Sequence, residues 1–128
     1  MKFQDFLTEM QTLKVEESRA HSEDYFEAVV SKEGLASLHK VLTDYFGPPL
    51  KPEGQFPCGK ANQHAKPYGG IRKEQTMYFR QDADYAEYAF LWPWGNGVRV
   101  TIKVIQSKSF GSGPGWKDFL KSLFTPKP

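Results

Sequence analysis

The first apolar residues of the chain recur at intervals of three and four positions. Phe3, Phe6, Leu7, Met10 and Leu13 follow this spacing, which predicts an amphipathic helix over about residues 2–17. A polar stretch separates it from residues 25–30. Those residues are rich in β-branched and aromatic side chains and fit either a short strand or the beginning of the next helix.

A second helix is predicted over residues 32–46. Its apolar positions share one side of a helical projection: Leu35, Leu38, Val41, Leu42, Tyr45 and Phe46. Ser31 is a plausible N-cap, Gly47 suits the position after the helix, and the two following prolines prevent its continuation. Residues 47–70 then contain five prolines and five glycines, which predicts a long loop.

Strand-like sequence resumes near Ile71, and Asn96-Gly97 lies between two β-rich runs, a pattern typical of a hairpin turn. A two-residue turn pairs Trp94 with Arg99 and Leu91 with Ile102. A four-residue loop over residues 94–97 would shift the partners by two positions and leave every side chain on the same face. A three-residue loop would place Leu91 among polar residues, so we reject it.

This register predicts two unlike faces of the hairpin. One face is aliphatic, formed by Ala89, Leu91, Val98, Val100, Ile102 and Val104. The other face combines aromatic and basic residues with two further side chains: Tyr88, Phe90, Trp92, Trp94, Arg99, Thr101, Lys103 and Ile105.

The expected fold class is α+β in one domain over residues 1–128. A three- or four-stranded antiparallel sheet, with a meander over about 71–107, would pack its aliphatic face against the N-terminal helices. The apolar spacing around Trp116 and Phe119 predicts a short C-terminal helix over 114–124.

The composition indicates the cellular compartment of the protein and how charge is distributed along the chain. Cys58 is the only cysteine, which excludes an internal disulfide and favours a reducing compartment. The N-terminus lacks a signal-peptide pattern and no apolar run suggests a membrane span, so we expect a cytoplasmic protein. Residues 1–47 carry five basic and nine acidic residues, and residues 48–128 carry twelve and six. The asymmetry fits either a basic binding surface or mutually complementary helices and sheet.

One loop motif resembles the phosphate-binding loop of P-loop NTPases. Gly54, Gly59 and Lys60 occupy its glycine and lysine positions, but Ala61 replaces the hydroxyl residue that would hold Mg²⁺. No buried parallel strand precedes the motif, and the Pro67-Tyr68-Gly69-Gly70 stretch interrupts any long helix after it. The context therefore argues against nucleotide hydrolysis.

The remaining chemical candidates are sparse. Cys58 and His64 lie in the same loop and could form a thiol-imidazole site, but a lone thiol and a solvated imidazole are the better explanation, since a catalytic pair requires a geometry that the sequence does not supply. Paired ligands for a structural zinc are missing from the sequence, and we predict neither a metal nor a cofactor. Glycines over 109–115 fit an anion site or simply a permissive connection.

The aromatic-basic face of the hairpin is the best candidate for a binding surface, because aromatic rings stack and cations hold anionic groups. The C-terminal helix or a second subunit could instead bury it. We predict a non-catalytic binding module for an unidentified protein or small molecule, with an enzyme using Cys58 and His64, or a nucleic-acid-binding domain, as alternatives. The predicted site residues are Tyr88, Phe90, Trp92, Trp94, Arg99 and Lys103, with Lys60, His64 and Arg72 from the loop.

Overall fold

The computed structural model describes residues 2–82 and 84–108 and shows an α+β fold with a five-stranded antiparallel sheet. The helices are α1 (Phe3–Gln11), α2 (Leu35–Phe46) and α3 (Gly59–Ala65). The strands are β1 (Glu17–His21), β2 (Tyr25–Ser31), β3 (Thr76–Gln81), β4 (Tyr85–Pro93) and β5 (Arg99–Lys108). Short 3₁₀ turns, Lys32–Gly34 and Lys66–Tyr68, precede α2 and follow α3. The predicted helix over 114–124 lies outside the described residues.

The sheet is wider than predicted because the N-terminal region contributes two strands. The strand order is β1-β2-β5-β4-β3, so the β1–β2 hairpin extends the predicted meander through pairing between β2 and β5. Residues 25–30 are therefore strand, and the first helix ends at Gln11 instead of near residue 17. Pairing with β2 makes the polar segment Glu17–His21 an edge strand, a tertiary effect that its own sequence does not signal.

The β4–β5 hairpin has the predicted register. Leu91 pairs with Ile102 and Trp92 pairs with Thr101, and the Trp94 amide donates to the Arg99 carbonyl at 2.8 Å. The turn itself differs from a two-residue type I′ turn, which requires positive φ at both central residues. Only Gly97 has positive φ (71°) in this turn, while the Asn96 side chain accepts a hydrogen bond from the Val98 amide at 2.9 Å.

The turn geometry corrects one residue of the predicted aliphatic face. Val98 lies in the loop before β5 and is 58% exposed. The other members of the predicted face, residues 89, 91, 100, 102 and 104, are buried. Val98 does not join them because the β4–β5 strand pairing ends at Pro93 and Val100, before the Gly95–Val98 pair that a two-residue turn would form.

The aliphatic face packs against α1 and α2, as the apolar spacing predicted. Phe6 and Leu7 from α1 and Leu38 and Leu42 from α2 are at most 2% exposed and share one core cluster with Ile102. The stripe of each helix faces the sheet because burying it removes apolar surface from water.

The predicted loop over 47–70 contains α3 and is tied to the sheet. Lys51 pairs with Met77 in an isolated antiparallel bridge beside β3. The Lys51 side chain is 1% exposed, and its ammonium donates to the carbonyl oxygens of Lys73 and Gln75. These contacts order the segment that carries α3 to the second face of the sheet.

Candidate functional site

Part of the aromatic face is buried beneath α3. Tyr88 is 5% exposed and Phe90 is 0% exposed, and both belong to a second core cluster with Ala61 and Ala65 of α3. The two alanines present little side-chain volume, which allows a close approach of the helix to the aromatic rings. Tyr88 and Phe90 are thus core residues in this structure, and neither ring is available for stacking on a ligand.

His64 and Lys60 of α3 both contact the ring of Phe79 on β3. His64 Nδ1 lies 2.9 Å from the Tyr88 hydroxyl, and its ring is 4.4 Å from that of Phe79. Burial, assisted by the neighbouring Lys60 charge, lowers the pKa of His64 below its usual value. The Lys60 ammonium is 5.1 Å from the centre of the Phe79 ring. Both side chains therefore serve contacts between α3 and the sheet.

The part of this face that α3 and the other described helices leave open carries five clustered side chains, which we call the aromatic-basic patch: Arg19, Trp92, Trp94, Arg99 and Lys103. The guanidinium carbons of Arg19 and Arg99 lie 5.6 and 5.8 Å from the centre of the Trp94 ring. The Lys103 ammonium lies 4.1 Å from the centre of the Trp92 ring. These distances are within the range of cation–π attraction.

Two fixed contacts orient the patch. The Trp94 indole N–H donates to the Thr101 hydroxyl at 2.8 Å, across the β4–β5 pair. Glu27 on β2 lies 3.7 Å from Arg19 and 3.9 Å from Lys103, and it accepts a hydrogen bond from the Tyr25 hydroxyl. Glu27 thus holds two of the three cations in place, a preorganisation that lowers the ordering cost of binding.

Trp92 has an unusual feature. Its indole nitrogen is buried and has no hydrogen-bond partner, the one such side-chain atom found within residues 2–82 and 84–108. A buried donor without an acceptor costs about 1–3 kcal/mol. The patch therefore contains one buried donor that has no acceptor among the described residues.

The structure brings together four of the nine predicted site residues. Trp92, Trp94, Arg99 and Lys103 lie in the patch, whereas Tyr88 and Phe90 are buried, as described above. Arg72 is exposed in the segment before β3, where its backbone amide donates to the Gln75 side chain. Within the part of the chain that the structure describes, Lys60, His64 and Arg72 make no hydrogen bond, ion pair or ring contact with the patch.

Cys58 and His64 do not form an evident catalytic pair. Cys58 is exposed at the N-terminal end of α3, and the Nδ1 atom of His64 is engaged by the Tyr88 hydroxyl. This arrangement supplies a structural role for the imidazole. No group of three or more His, Cys, Asp or Glu side chains that could hold a metal ion is present in the described ranges.

Sequence reasoning missed Arg19, Tyr25 and Glu27. These residues join the patch because β1 and β2 extend the sheet beside β5. Their local signal was weak: Arg19 lies in a polar segment, and residues 25–30 were ambiguous between strand and helix. Recognising β2 as a strand would have indicated that Tyr25 and Glu27 alternate onto one face.

A separate buried carboxylate lies at an open cleft of about 1160 Å³ beside α1 and the β3–β4 turn. Glu87 is 4% exposed and accepts hydrogen bonds from the Tyr45 hydroxyl and the Gln106 amide, with Arg80 at 3.5 Å. Because these partners occupy both carboxylate oxygens, Glu87 ties α2 to β4 and β5. Its contacts explain its burial without a ligand.

No protein-family model matches this chain, and no curated protein and no solved structure shows significant similarity to it. Across the described helices, none has the length and apolar character needed to cross a membrane. The patch geometry therefore carries the functional interpretation.

Proposed function

We propose that this chain is a non-catalytic binding module whose aromatic-basic patch holds an anionic group of a protein or small-molecule partner. The observation that carries the proposal is the packing of three cationic side chains against two tryptophan rings on one strip of the sheet that none of the described helices covers. Arginine and tryptophan are the residue types most enriched at binding hot spots.

Charge supports an anionic partner. Arg19 and Lys103 share the Glu27 carboxylate, whereas Arg99 is exposed and has no acidic partner within the described residues. A carboxylate or phosphate at Arg99 would form a charge-assisted hydrogen bond, roughly twice as strong as a neutral one. An aromatic or apolar portion of the partner would contact the rings of Trp92 and Trp94.

The test is amide chemical-shift mapping with two probes, phenyl phosphate and an acidic tyrosine-containing peptide. We expect saturable shifts over residues 92–103 with at least one probe, and weaker binding by roughly fivefold in Arg99→Gln. Lys66→Gln is the matched control, because Lys66 is an exposed cation on the turn after α3. Benzyl alcohol should bind much more weakly, since it lacks the negative charge.

The outcome that would reject the proposal is an absence of saturable shifts over 92–103, or binding that Arg99→Gln leaves unchanged. An oligothymidylate that binds more tightly than both probes, with affinity falling steeply as salt is added, would indicate a nucleic-acid-binding domain instead. Loss of the 92–103 signals with increasing protein concentration would indicate that a second copy of the chain occupies the patch.

A further inference from the structure

Glu27 lies among the cations of the aromatic-basic patch and opposes their charge. On β2 it pairs directly with Lys103 of β5, so the two side chains share one face of the sheet. The Glu27 carboxylate is 3.9 Å from the Lys103 ammonium and 3.7 Å from the Arg19 guanidinium. One carboxylate therefore serves two of the three cations of the patch.

A β-bulge brings Arg19 to this carboxylate. The register between β1 and β2 shifts at Arg19, which is the extra residue of β1. A bulge redirects a side chain, and Arg19 here contacts both Glu27 and the Trp94 ring. A second carboxylate, that of Glu17, lies 3.5 Å from the Nε atom of Arg19. Two acidic side chains thus compensate the charge of Arg19.

The charges of the patch almost cancel. One net positive charge remains when its three cations are set against the two carboxylates: Arg19, Arg99 and Lys103 against Glu17 and Glu27. Arg99 supplies that charge, because its guanidinium forms no ion pair within residues 2–82 and 84–108. A singly charged ligand neutralises the patch. The second charge of a dianion meets no uncompensated cation there, yet its desolvation still costs free energy.

Tyr25 holds the Glu27 carboxylate beside the cations. Its hydroxyl donates a hydrogen bond to Glu27. Burial, together with this hydrogen bond and the carboxylate charge, raises the pKa of Tyr25 above its usual value, so the hydroxyl remains protonated as a donor. The Glu27 side chain is only 18% exposed, and solvent screens such a charge less than one on the open surface. An anion bound beside Arg19 or Lys103 therefore meets the negative charge of Glu27.

We propose that Glu27 determines the charge specificity of the aromatic-basic patch by disfavouring doubly charged ligands. The preferred ligand is then an aromatic group that carries one negative charge, such as a carboxylate or a sulfate ester, and not a phosphate monoester. This inference rests on the function proposed above and narrows the class of ligand that the patch holds. Repulsion between Glu27 and a ligand is proportional to the charge of the ligand, so it is about twice as large for a dianion.

The experiment compares the binding of phenyl phosphate and phenyl sulfate to the full chain. The two ligands share a ring and a tetrahedral group. At about pH 8 the phosphate carries two charges, because its second pKa is about 6, whereas the sulfate carries one. Amide chemical shifts over residues 92–103, at constant ionic strength, measure both affinities. The parent should bind phenyl sulfate at least as tightly as phenyl phosphate.

Glu27→Gln removes the charge and keeps an amide oxygen that can accept the Tyr25 hydroxyl. It should strengthen phenyl sulfate binding about threefold and phenyl phosphate binding about tenfold, because the repulsion that is removed scales with ligand charge. A purely structural role for Glu27 would change both affinities by the same factor. Glu23→Gln is the matched control, since it removes an exposed carboxylate from the turn between β1 and β2. It should leave both affinities unchanged.

Glu17→Gln decides the question if Glu27→Gln does not fold. The Glu17 side chain is 57% exposed on the edge strand, a position where substitution costs little stability. The variant removes the other carboxylate beside Arg19. It should strengthen phenyl phosphate binding more than phenyl sulfate binding, by smaller factors than Glu27→Gln because solvent screens Glu17 more strongly.

Equal gains for the two ligands in a folded Glu27→Gln variant would overturn the charge specificity and leave the proposed function standing. A parent that binds phenyl phosphate more than about fivefold more tightly than phenyl sulfate would have the same meaning. Binding of neither ligand by the parent would also reject this inference. The proposed function would be rejected with it only if the acidic tyrosine-containing peptide failed to bind as well.

Discussion

Lys51 shows how one buried charge orders a long proline- and glycine-rich segment. Its ammonium donates to the carbonyl oxygens of Lys73 and Gln75, and its backbone pairs with Met77. Burial lowers the pKa of Lys51, because desolvation disfavours the charged form. The hydrogen bonds to two carbonyl groups oppose that cost.

Replacing Lys51 with Met should lower the free energy of unfolding by about 2–4 kcal/mol, because the carbonyl oxygens of Lys73 and Gln75 would lose the ammonium donor that ties them to Lys51. Urea denaturation measures the change. The matched variant Lys66→Met alters an exposed lysine and should stay within about 0.5 kcal/mol of the parent. Equal stabilities for both variants would show that the Lys51 contacts do not stabilise the fold.

His64 should make stability depend on pH. Burial lowers its pKa in the folded state, so below its ordinary pKa of about 6.5 the unfolded chain binds a proton that the folded chain does not. Stability should therefore decline as pH falls through about 6.5, and the decline should continue until the lower folded pKa is reached.

The measurement is the free energy of unfolding of the parent and of His64→Gln from pH 7.5 to 5. Subtracting the two curves removes the contribution of groups that the variant leaves unperturbed. The parent should lose more stability than the variant over this range. Parallel curves would contradict the inferred pKa shift.

At the scale of elements, the β4–β5 hairpin organises both faces of the sheet. The faces of its strands follow from local sequence, since alternation of apolar and polar residues excludes every pairing that places Leu91 and Ile102 on opposite sides. The turn geometry was less predictable, because Asn96 uses its side chain as a hydrogen-bond acceptor instead of adopting positive φ.

Ile102→Asp should unfold the protein, or cost at least about 4 kcal/mol, because it places an unpaired carboxylate at a 0% exposed position of the α1–α2 core. Val98→Asp is the control at the 58% exposed loop position of the same hairpin and should change stability by less than about 0.5 kcal/mol. Thermal melts followed by circular dichroism distinguish them. Matching melts for Ile102→Asp and the parent would contradict the assignment of faces.

At the scale of the whole molecule, the described sheet has one core on each face. Helices α1 and α2 bury large apolar side chains on one face, whereas the seven-residue α3 contributes only two buried residues, Ala61 and Ala65, to the other. A short helix with so little apolar surface gains little stability of its own. The α3 layer is therefore the weaker of the two.

Native-state hydrogen exchange should reveal this difference. The Asn62 amide donates to the Cys58 carbonyl at 3.0 Å. It should exchange through local openings whose free energy is at least about 2 kcal/mol below that of global unfolding. The amides of Ile102 and Val104 should exchange only with global unfolding. Equal protection of Asn62 and Ile102 would show that α3 and the sheet open as one cooperative unit.

By itself, the sequence determined the α+β class, the C-terminal end of α2 and the aliphatic face of the hairpin apart from Val98. Each depends on the spacing of apolar residues close together along the chain. Only the tertiary structure decided that β1 and β2 widen the sheet, that α3 buries Tyr88 and Phe90, and that Arg19 joins Trp94. These outcomes depend on pairing and packing between residues distant in sequence, where local patterns specify no partner.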